Sequence, residues 1–156
     1  MRGPQRLGIL GGTFNPIHHG HLLVAQEAWY RYELGRVILV PAARNPLKPD
    51  EPDGTTPEQR LKMLKLVEDS DSRFSVDAAE LRHGGPSYTI ATLKRIAENN
   101  NGAELHLLLG TDAALTLPQW KDVEKFGQLC RIVVCDRPGS TSFRDSIPPE
   151  LNALGL

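Results

Sequence analysis

Residues 7–21 read Leu7-Gly8-Ile9-Leu10-Gly11-Gly12-Thr13-Phe14-Asn15-Pro16-Ile17-His18-His19-Gly20-His21. The run Leu7–Leu10 is short and apolar, the pattern of a buried strand. From Leu22 to Trp29 the apolar residues recur at helical spacing. Gly11, Gly12, Thr13 and three histidines therefore occupy a strand-to-helix turn. Such a turn can cradle a phosphate. Glycine lets the backbone come close, and a helix start offers unpaired N–H groups at the positive end of its dipole. No Gly-Lys-Ser/Thr follows, so the turn is not of the Gly-x-x-x-x-Gly-Lys type.

Working outward, apolar runs alternate with helix-period segments. Strands are expected at Leu7–Leu10, Arg36–Val40, Phe74–Asp77, Glu104–Leu109 and Arg131–Val134. Leu105–Leu109 and Ile132–Val134 are nearly continuous apolar stretches, as in a parallel sheet covered on both faces. Helices are expected over Gly20–Tyr32, Pro57–Asp69 and Tyr88–Asn99, with a weaker one over Lys121–Phe126. Thr56 is a good N-cap for Pro57 at the first helical position. Leu61, Leu64 and Val67 share one face of that helix, and Ile90, Leu93 and Ala97 one face of the next, which Ser87 or Thr89 could cap. This alternation predicts a Rossmann-like, doubly wound α/β domain with five parallel strands and right-handed crossovers. Ligands of such sheets bind beyond the carboxyl ends of the strands, where the strand order reverses. Residues 42–56 and 136–156 are proline-rich, polar and without periodicity, as expected of long loops or lids.

The chain has 156 residues, the size of one domain. Eighteen Lys and Arg against nineteen Asp and Glu give a net charge of −1. That balance argues against a nucleic-acid partner bound by bulk electrostatics, while permitting a local basic pocket. No apolar run approaches the ~20 residues that span a bilayer, so no membrane partner is expected. No leader pattern follows Met1, which reads as cytoplasmic. Cys130 and Cys135 lie an odd number apart in one strand, hence on opposite faces, so they are expected as reduced thiols rather than a disulfide.

Three constellations carry chemistry. His18 and His21 are three apart, one just before the first helix and one in its first turn, so both can face one phosphate. No carboxylate or cysteine accompanies them, which leaves a metal site without its usual ligands. Gly84-Gly85-Pro86-Ser87-Tyr88-Thr89 opens the third helix, and free N–H groups there can take a carboxylate. Gly110-Thr111-Asp112 follows the fourth strand, with Trp120-Lys121 eight residues beyond. A flat aromatic suits a planar ring, although the same pattern also describes a helix start and a core tryptophan.

His18-His19-Gly20-His21 resembles the His-x-Gly-His signature of the nucleotidyltransferases. Gly11-Gly12-Thr13-Phe14-Asn15-Pro16 resembles the Gly-Gly-Thr-Phe-Asp-Pro of bacterial nicotinate-nucleotide adenylyltransferases, with Asn15 in place of the acid. The Gly84–Thr89 segment, Gly110-Thr111-Asp112 and Trp120 are similar to that family as well. The resemblance implies adenylyl transfer from ATP to nicotinate mononucleotide, with Mg²⁺ accompanying ATP and no protein side chain as a metal ligand. It implies that His18 and His21 are catalytic. ATP and the acceptor would be held by Gly11, Gly12, Thr13, Phe14, Gly20, Lys48, Tyr88, Thr89, Gly110, Asp112, Trp120, Lys121 and Arg137. Taken singly, Lys48 and Arg137 also read as solvated surface charges.

The family's second signature, Ile-Ser-Ser-Thr-x-Ile-Arg, does not occur in these residues, and Gly139–Arg144, which lacks the leading Ile-Ser-Ser-Thr, reads as loop. The domain is thus expected to be short at its C-terminal end relative to the family. The alternatives are another His-x-Gly-His enzyme, acting on a phosphopantetheine or a nicotinamide nucleotide, or a catalytically impaired nucleotide-binding module. The Gly84–Thr89 segment and Trp120 favour the nicotinate nucleotide. Homo-oligomerisation is left open.

Overall fold

Five strands form one sheet in the computed structural model, which describes residues 3–43, 47, 55–136 and 149. They are β1 (Arg6–Gly12), β2 (Arg36–Pro41), β3 (Phe74–Val76), β4 (Glu104–Gly110) and β5 (Cys130–Cys135). Their order is β3-β2-β1-β4-β5, and every pairing is parallel. Each strand coincides with an expected one to within two residues at either end.

Burial on both faces explains the apolar runs. Leu7 and Ile9 of β1, Ile38 and Val40 of β2, and Leu105, Leu107 and Leu109 of β4 point into one core. That core is covered by Ile90, Leu93 and Ile96 of helix α4 (Thr89–Asn99). The intervening residues Leu10, Val37, Leu39 and Leu108 point into a second core. Ala25 and Ala28 of α1 (His19–Arg31) and Leu64 of α2 (Pro57–Ser70) cover that one. Progress from β1 to β3 uses helices on one face, and the return through β4 to β5 uses the other. Right-handed crossovers produce this arrangement when the direction of progress reverses. The reversal lies between β1 and β4, so their carboxyl ends, Gly11-Gly12 and Gly110, flank one crevice.

Gly8 is fixed by packing. A Cβ there would lie 2.8 Å from Leu34 Cδ1 and 3.2 Å from Val37 Cγ2. Cys130 packs into the first core and Cys135 into the second, both as free thiols on opposite faces of β5. Burial pushes the Cys130 thiol up to about 11.

Two details differ from expectation. Neither Ser87 nor Thr89 caps α4. Its N-cap is Tyr88, and no side chain closes the helix start. Ser87 Oγ instead accepts the Ala43 N–H at 3.1 Å, across to the exit of β2. Lys121–Phe126 is not an α-helix. Asp122 takes a left-handed conformation at φ 54°, and a 3-10 turn runs from Val123 to Gln128. Two short helices, α3 (Ala79–His83) and α5 (Thr111–Leu115), had no clear periodic signal at five residues each. Most of the two proline-rich connections, residues 44–46, 48–54, 137–148 and 150–156, lies outside the described residues. Among the described residues no helix is long and apolar enough to cross a membrane.

Candidate active site

The turn after β1 is shaped by local strain and by capping. Phe14 is 2% exposed and sits at φ 52°, so its ring is folded under the turn while the backbone passes over it. The ring meets His21 edge-on, with centroids 5.0 Å apart. Asn15 precedes a cis proline, and its Oδ1 accepts both the N–H and the hydroxyl of Thr55, at 3.0 and 2.6 Å.

His18 is the N-cap of α1, in an extended conformation. Its Nδ1 accepts the Gly20 N–H at 3.1 Å, and the Nδ1 of His21 accepts the His18 N–H at 3.2 Å. This is a capping box built from two histidines instead of Ser and Glu. The two rings stack with centroids 3.9 Å apart. A Cβ at Gly20 would lie 2.9 Å from His18 Cε1, so glycine is what lets that ring fold over the first turn. With each Nδ1 committed as an acceptor, the neutral ring carries its proton on Nε2. In that tautomer Nε2 of each ring is a donor rather than an acceptor. The first turn of α1 contains no acidic residue to compete with an anion for the dipole end. Gly20 itself is exposed, and His19 faces solvent.

Gly11 and Gly12 are not demanded by the protein's own packing. A Cβ at either would find nothing closer than 3.8 and 3.7 Å respectively. Thr13 is half-buried above Arg60, whose Nη1 donates to the carbonyls of Thr13 and Ala42 at 2.7 and 2.8 Å.

On the other side of the crevice, Gly110 precedes α5, and Thr111 Oγ1 donates to Asp136 Oδ1 at 2.8 Å, tying the exits of β4 and β5 together. Asp112 is exposed in the first turn of α5. Lys121 Nζ stands 4.7 Å over the ring of Tyr88, so the segment after α5 meets the start of α4. Thr89 opens that helix beside them. Trp120 is half-buried, edge-on to Phe126, with its indole N–H donated to Thr116 Oγ1 at 2.8 Å. Its backbone N–H goes to Leu117 O, so neither donor of Trp120 is left for a ligand. Lys48 and Arg137 lie outside the described residues.

A buried polar network supports the α4 start. Glu80 accepts from the hydroxyls of Thr92 and Ser87. Burial raises its pKa above the usual glutamate value, against those hydrogen bonds and the nearby Arg95. Arg95 Nη1 pairs with Asp77 Oδ2 at 2.6 Å. Neither this network nor Arg60 was singled out from sequence. Arg60 did leave a signal, since it stands at i in the buried stripe that continues with Leu64 and Val67 at i+4 and i+7. Among the described residues no group of three His, Cys, Asp or Glu could hold a metal ion.

A doubly wound parallel sheet with paired histidine donors at its first helix start defines a nucleotidyltransferase type of domain. The cytidylyltransferase-like family model matches residues 9–153. A protein of Opitutus terrae named "Probable nicotinate-nucleotide adenylyltransferase" is 42% identical over 135 residues, covering 86% of this chain and 69% of that protein. One of the same name from Synechococcus sp. (strain JA-3-3Ab) is 41% identical over 133 residues, covering 85% and 64%. The chain belongs to the cytidylyltransferase-like family and, within it, to the nicotinate-nucleotide adenylyltransferases. It spans about two thirds of the length of these relatives.

The fold is that of Plasmodium falciparum nicotinic acid mononucleotide adenylyltransferase complexed with NaAD, at a TM-score of 0.68 and 17% identity, covering 96% of this chain and 82% of that one. A bifunctional NMN adenylyltransferase/ADP ribose pyrophosphatase from Francisella tularensis, complexed with AMP and a Mn ion, matches at a TM-score of 0.57 and 13% identity, covering 90% and 40%.

Proposed function

We infer that the protein transfers the adenylyl group of ATP to nicotinate mononucleotide, forming nicotinate adenine dinucleotide and pyrophosphate. A phosphate oxygen of the mononucleotide attacks the α-phosphorus in line. The bond from that phosphorus to the β-bridging oxygen breaks, and pyrophosphate departs with the electron pair. The attacking group is already an anion, so no side-chain nucleophile or strong base is needed. Catalysis then rests on positioning and on stabilising charge at the phosphorus.

The observation that carries this reading is the stacked pair of His18 and His21, each with Nδ1 engaged by the backbone. Their Nε2–H groups are pre-aimed donors for phosphate oxygens, and the start of α1 adds its dipole. The spare space at Gly11 and Gly12 suits a closely approaching phosphate. Mg²⁺ enters as part of the ATP substrate, where it neutralises the phosphates. The N–H groups at the start of α1 would complement that complex.

On the acceptor side, α1 and α2 (Pro57–Ser70) both have capping boxes, whereas α4 has no side-chain cap. Its first N–H groups, at Thr89 and Ile90, are suited to the nicotinate carboxylate. Tyr88, Lys121 and Trp120 would line the pyridine side, Gly110 and Asp112 the ribose, and Lys48 and Arg137 the phosphates. The enzyme would act in the cytoplasm.

The test is pyrophosphate release by the purified protein with Mg·ATP and each candidate acceptor, the dinucleotide product being identified by mass. Release that requires nicotinate mononucleotide supports the reading. Equal release with a phosphopantetheine would move the substrate elsewhere in the family. ATP binding without release would leave a nucleotide-binding module.

A further inference from the structure

Helix α2 carries one charge on its buried stripe. Arg60 is 4% exposed, and Leu64, one turn on, is fully buried. No carboxylate among the described residues forms an ion pair with Arg60. Burial lowers its pKa from the ordinary arginine value, with Glu58 on the same helix opposing that only in part. A buried, unneutralised guanidinium is unfavourable unless its hydrogen bonds do something that an apolar side chain cannot. The hydrogen bonds that bury it go to two backbone carbonyls far apart in sequence, Thr13 O at 2.7 Å and Ala42 O at 2.8 Å. The Ala42 N–H in turn donates to Gly12 O at 2.8 Å. The turn after β1 is thereby clamped to the exit of β2 from beneath.

The direction of the clamp matters. In a trans peptide the C=O and the next N–H point opposite ways. Drawing the Thr13 carbonyl down toward α2 turns the Phe14 N–H up, away from Arg60. Phe14 is held at φ 52°, and its N–H has no hydrogen-bond partner among the described residues. We propose that Arg60 is a positioning residue for the phosphate turn: it fixes the Thr13–Phe14 peptide so that the Phe14 N–H is presented to the phosphates of ATP. The proposal rests on the adenylyl-transfer reading for the identity of the ligand.

The test uses inorganic pyrophosphate with Mg²⁺ as the probe, amide NMR of the whole protein as the readout, and the variants Arg60→Gln and Arg60→Lys. In the wild type the Phe14 amide should shift on titration. Arg60→Gln should displace that amide before any ligand is added and weaken pyrophosphate about ten- to hundredfold, the worth of one charge-assisted hydrogen bond. Arg60→Lys keeps the charge but can hold only part of the clamp, so it should fall between.

If Arg60→Gln does not fold, the lysine variant still decides. A folded lysine variant with wild-type pyrophosphate affinity and an unmoved Phe14 amide overturns the proposal. So does a variant that only melts lower, with KM for ATP unchanged. A wild type that ignores pyrophosphate overturns the phosphate reading of the turn and the proposal with it.

Discussion

His21 does two separable things, and a pair of substitutions can pull them apart. Its Nδ1 accepts the His18 N–H at 3.2 Å, closing the capping box of α1, and in the proposed reaction its Nε2–H donates to phosphate. His21→Ala removes both. The cap bond is exposed, so its loss falls toward the low end of the ~0.5–2 kcal/mol that N-terminal caps contribute. In a domain of this size 1 kcal/mol corresponds to about 2–4 °C in melting temperature. Loss of a pre-aimed donor to the transition state lowers the rate by about 10²–10³, or roughly 2.7–4 kcal/mol. The rate effect should therefore exceed the stability effect severalfold.

His21→Gln sharpens the contrast. Glutamine at N3 is the residue a capping box ordinarily uses, so its side chain can again accept the His18 N–H. It cannot reproduce an imidazole N–H stacked on His18. Melting should return toward the wild type while pyrophosphate release stays low. The measurements are a thermal melt and initial rates with saturating Mg·ATP and nicotinate mononucleotide. If activity recovers in step with stability in His21→Gln, then His21 is only a cap and the catalytic assignment fails.

Three further outcomes follow from the same geometry. Nicotinate mononucleotide should be preferred over nicotinamide mononucleotide by tenfold or more in kcat/KM, since mispaired donors at the α4 start cost about 1–3 kcal/mol each; specificity constants within twofold of each other would contradict the carboxylate role of Thr89 and Ile90. Glu80 has its folded pKa raised by burial, so the stability it contributes is present below the ordinary glutamate value and is lost as pH rises through the raised one. The stability of Glu80→Gln relative to the wild type should thus increase as pH rises above the ordinary glutamate value, and a pH-independent difference would refute the burial argument. Cys130, pushed from 9.0 to about 11, holds about a hundredfold less thiolate than an ordinary thiol, so iodoacetamide at neutral pH should label it far more slowly in the folded than in the unfolded protein.

The sheet was legible because each strand is buried on both faces, and double burial writes itself as an unbroken apolar run such as Leu105–Leu109. The longer helices were legible from their stripes. The five-residue helices Ala79–His83 and Thr111–Leu115 were not, since little more than one turn leaves no period to count. The start of α4 was misread because Ser87 is a good cap by type, and only the fold brings Ala43 within 3.1 Å to claim its hydroxyl. Trp120 was legible as a candidate but not as a donor. The Thr116 hydroxyl, four residues back, takes its indole N–H. At the turn itself, the spacing of His18 and His21 put them on one side of the helix start, whereas the bonds that fix their tautomers appear only once the helix start is built.

That last point bears on why histidine occupies both positions. Serine at the N-cap and glutamate at N3 would close the same backbone bonds. The glutamate would then place a negative charge where the phosphates are expected, and the serine would spend its short side chain on the cap. Imidazole has two nitrogens on opposite edges, so one can serve the helix while the other serves a ligand. The two rings lie 3.9 Å apart, tilted by 31°, so the pair stays together at the helix start. Gly20 is the remaining condition, because any Cβ there would meet the His18 ring at 2.9 Å and push it off the cap. Gly20→Ala should therefore lower activity through His18 without touching substrate. The distinguishing readout is the His18 ring in NMR, which should lose the signature of an Nδ1 held by the Gly20 amide. An alanine variant with that signature and full turnover would show that the ring has room after all.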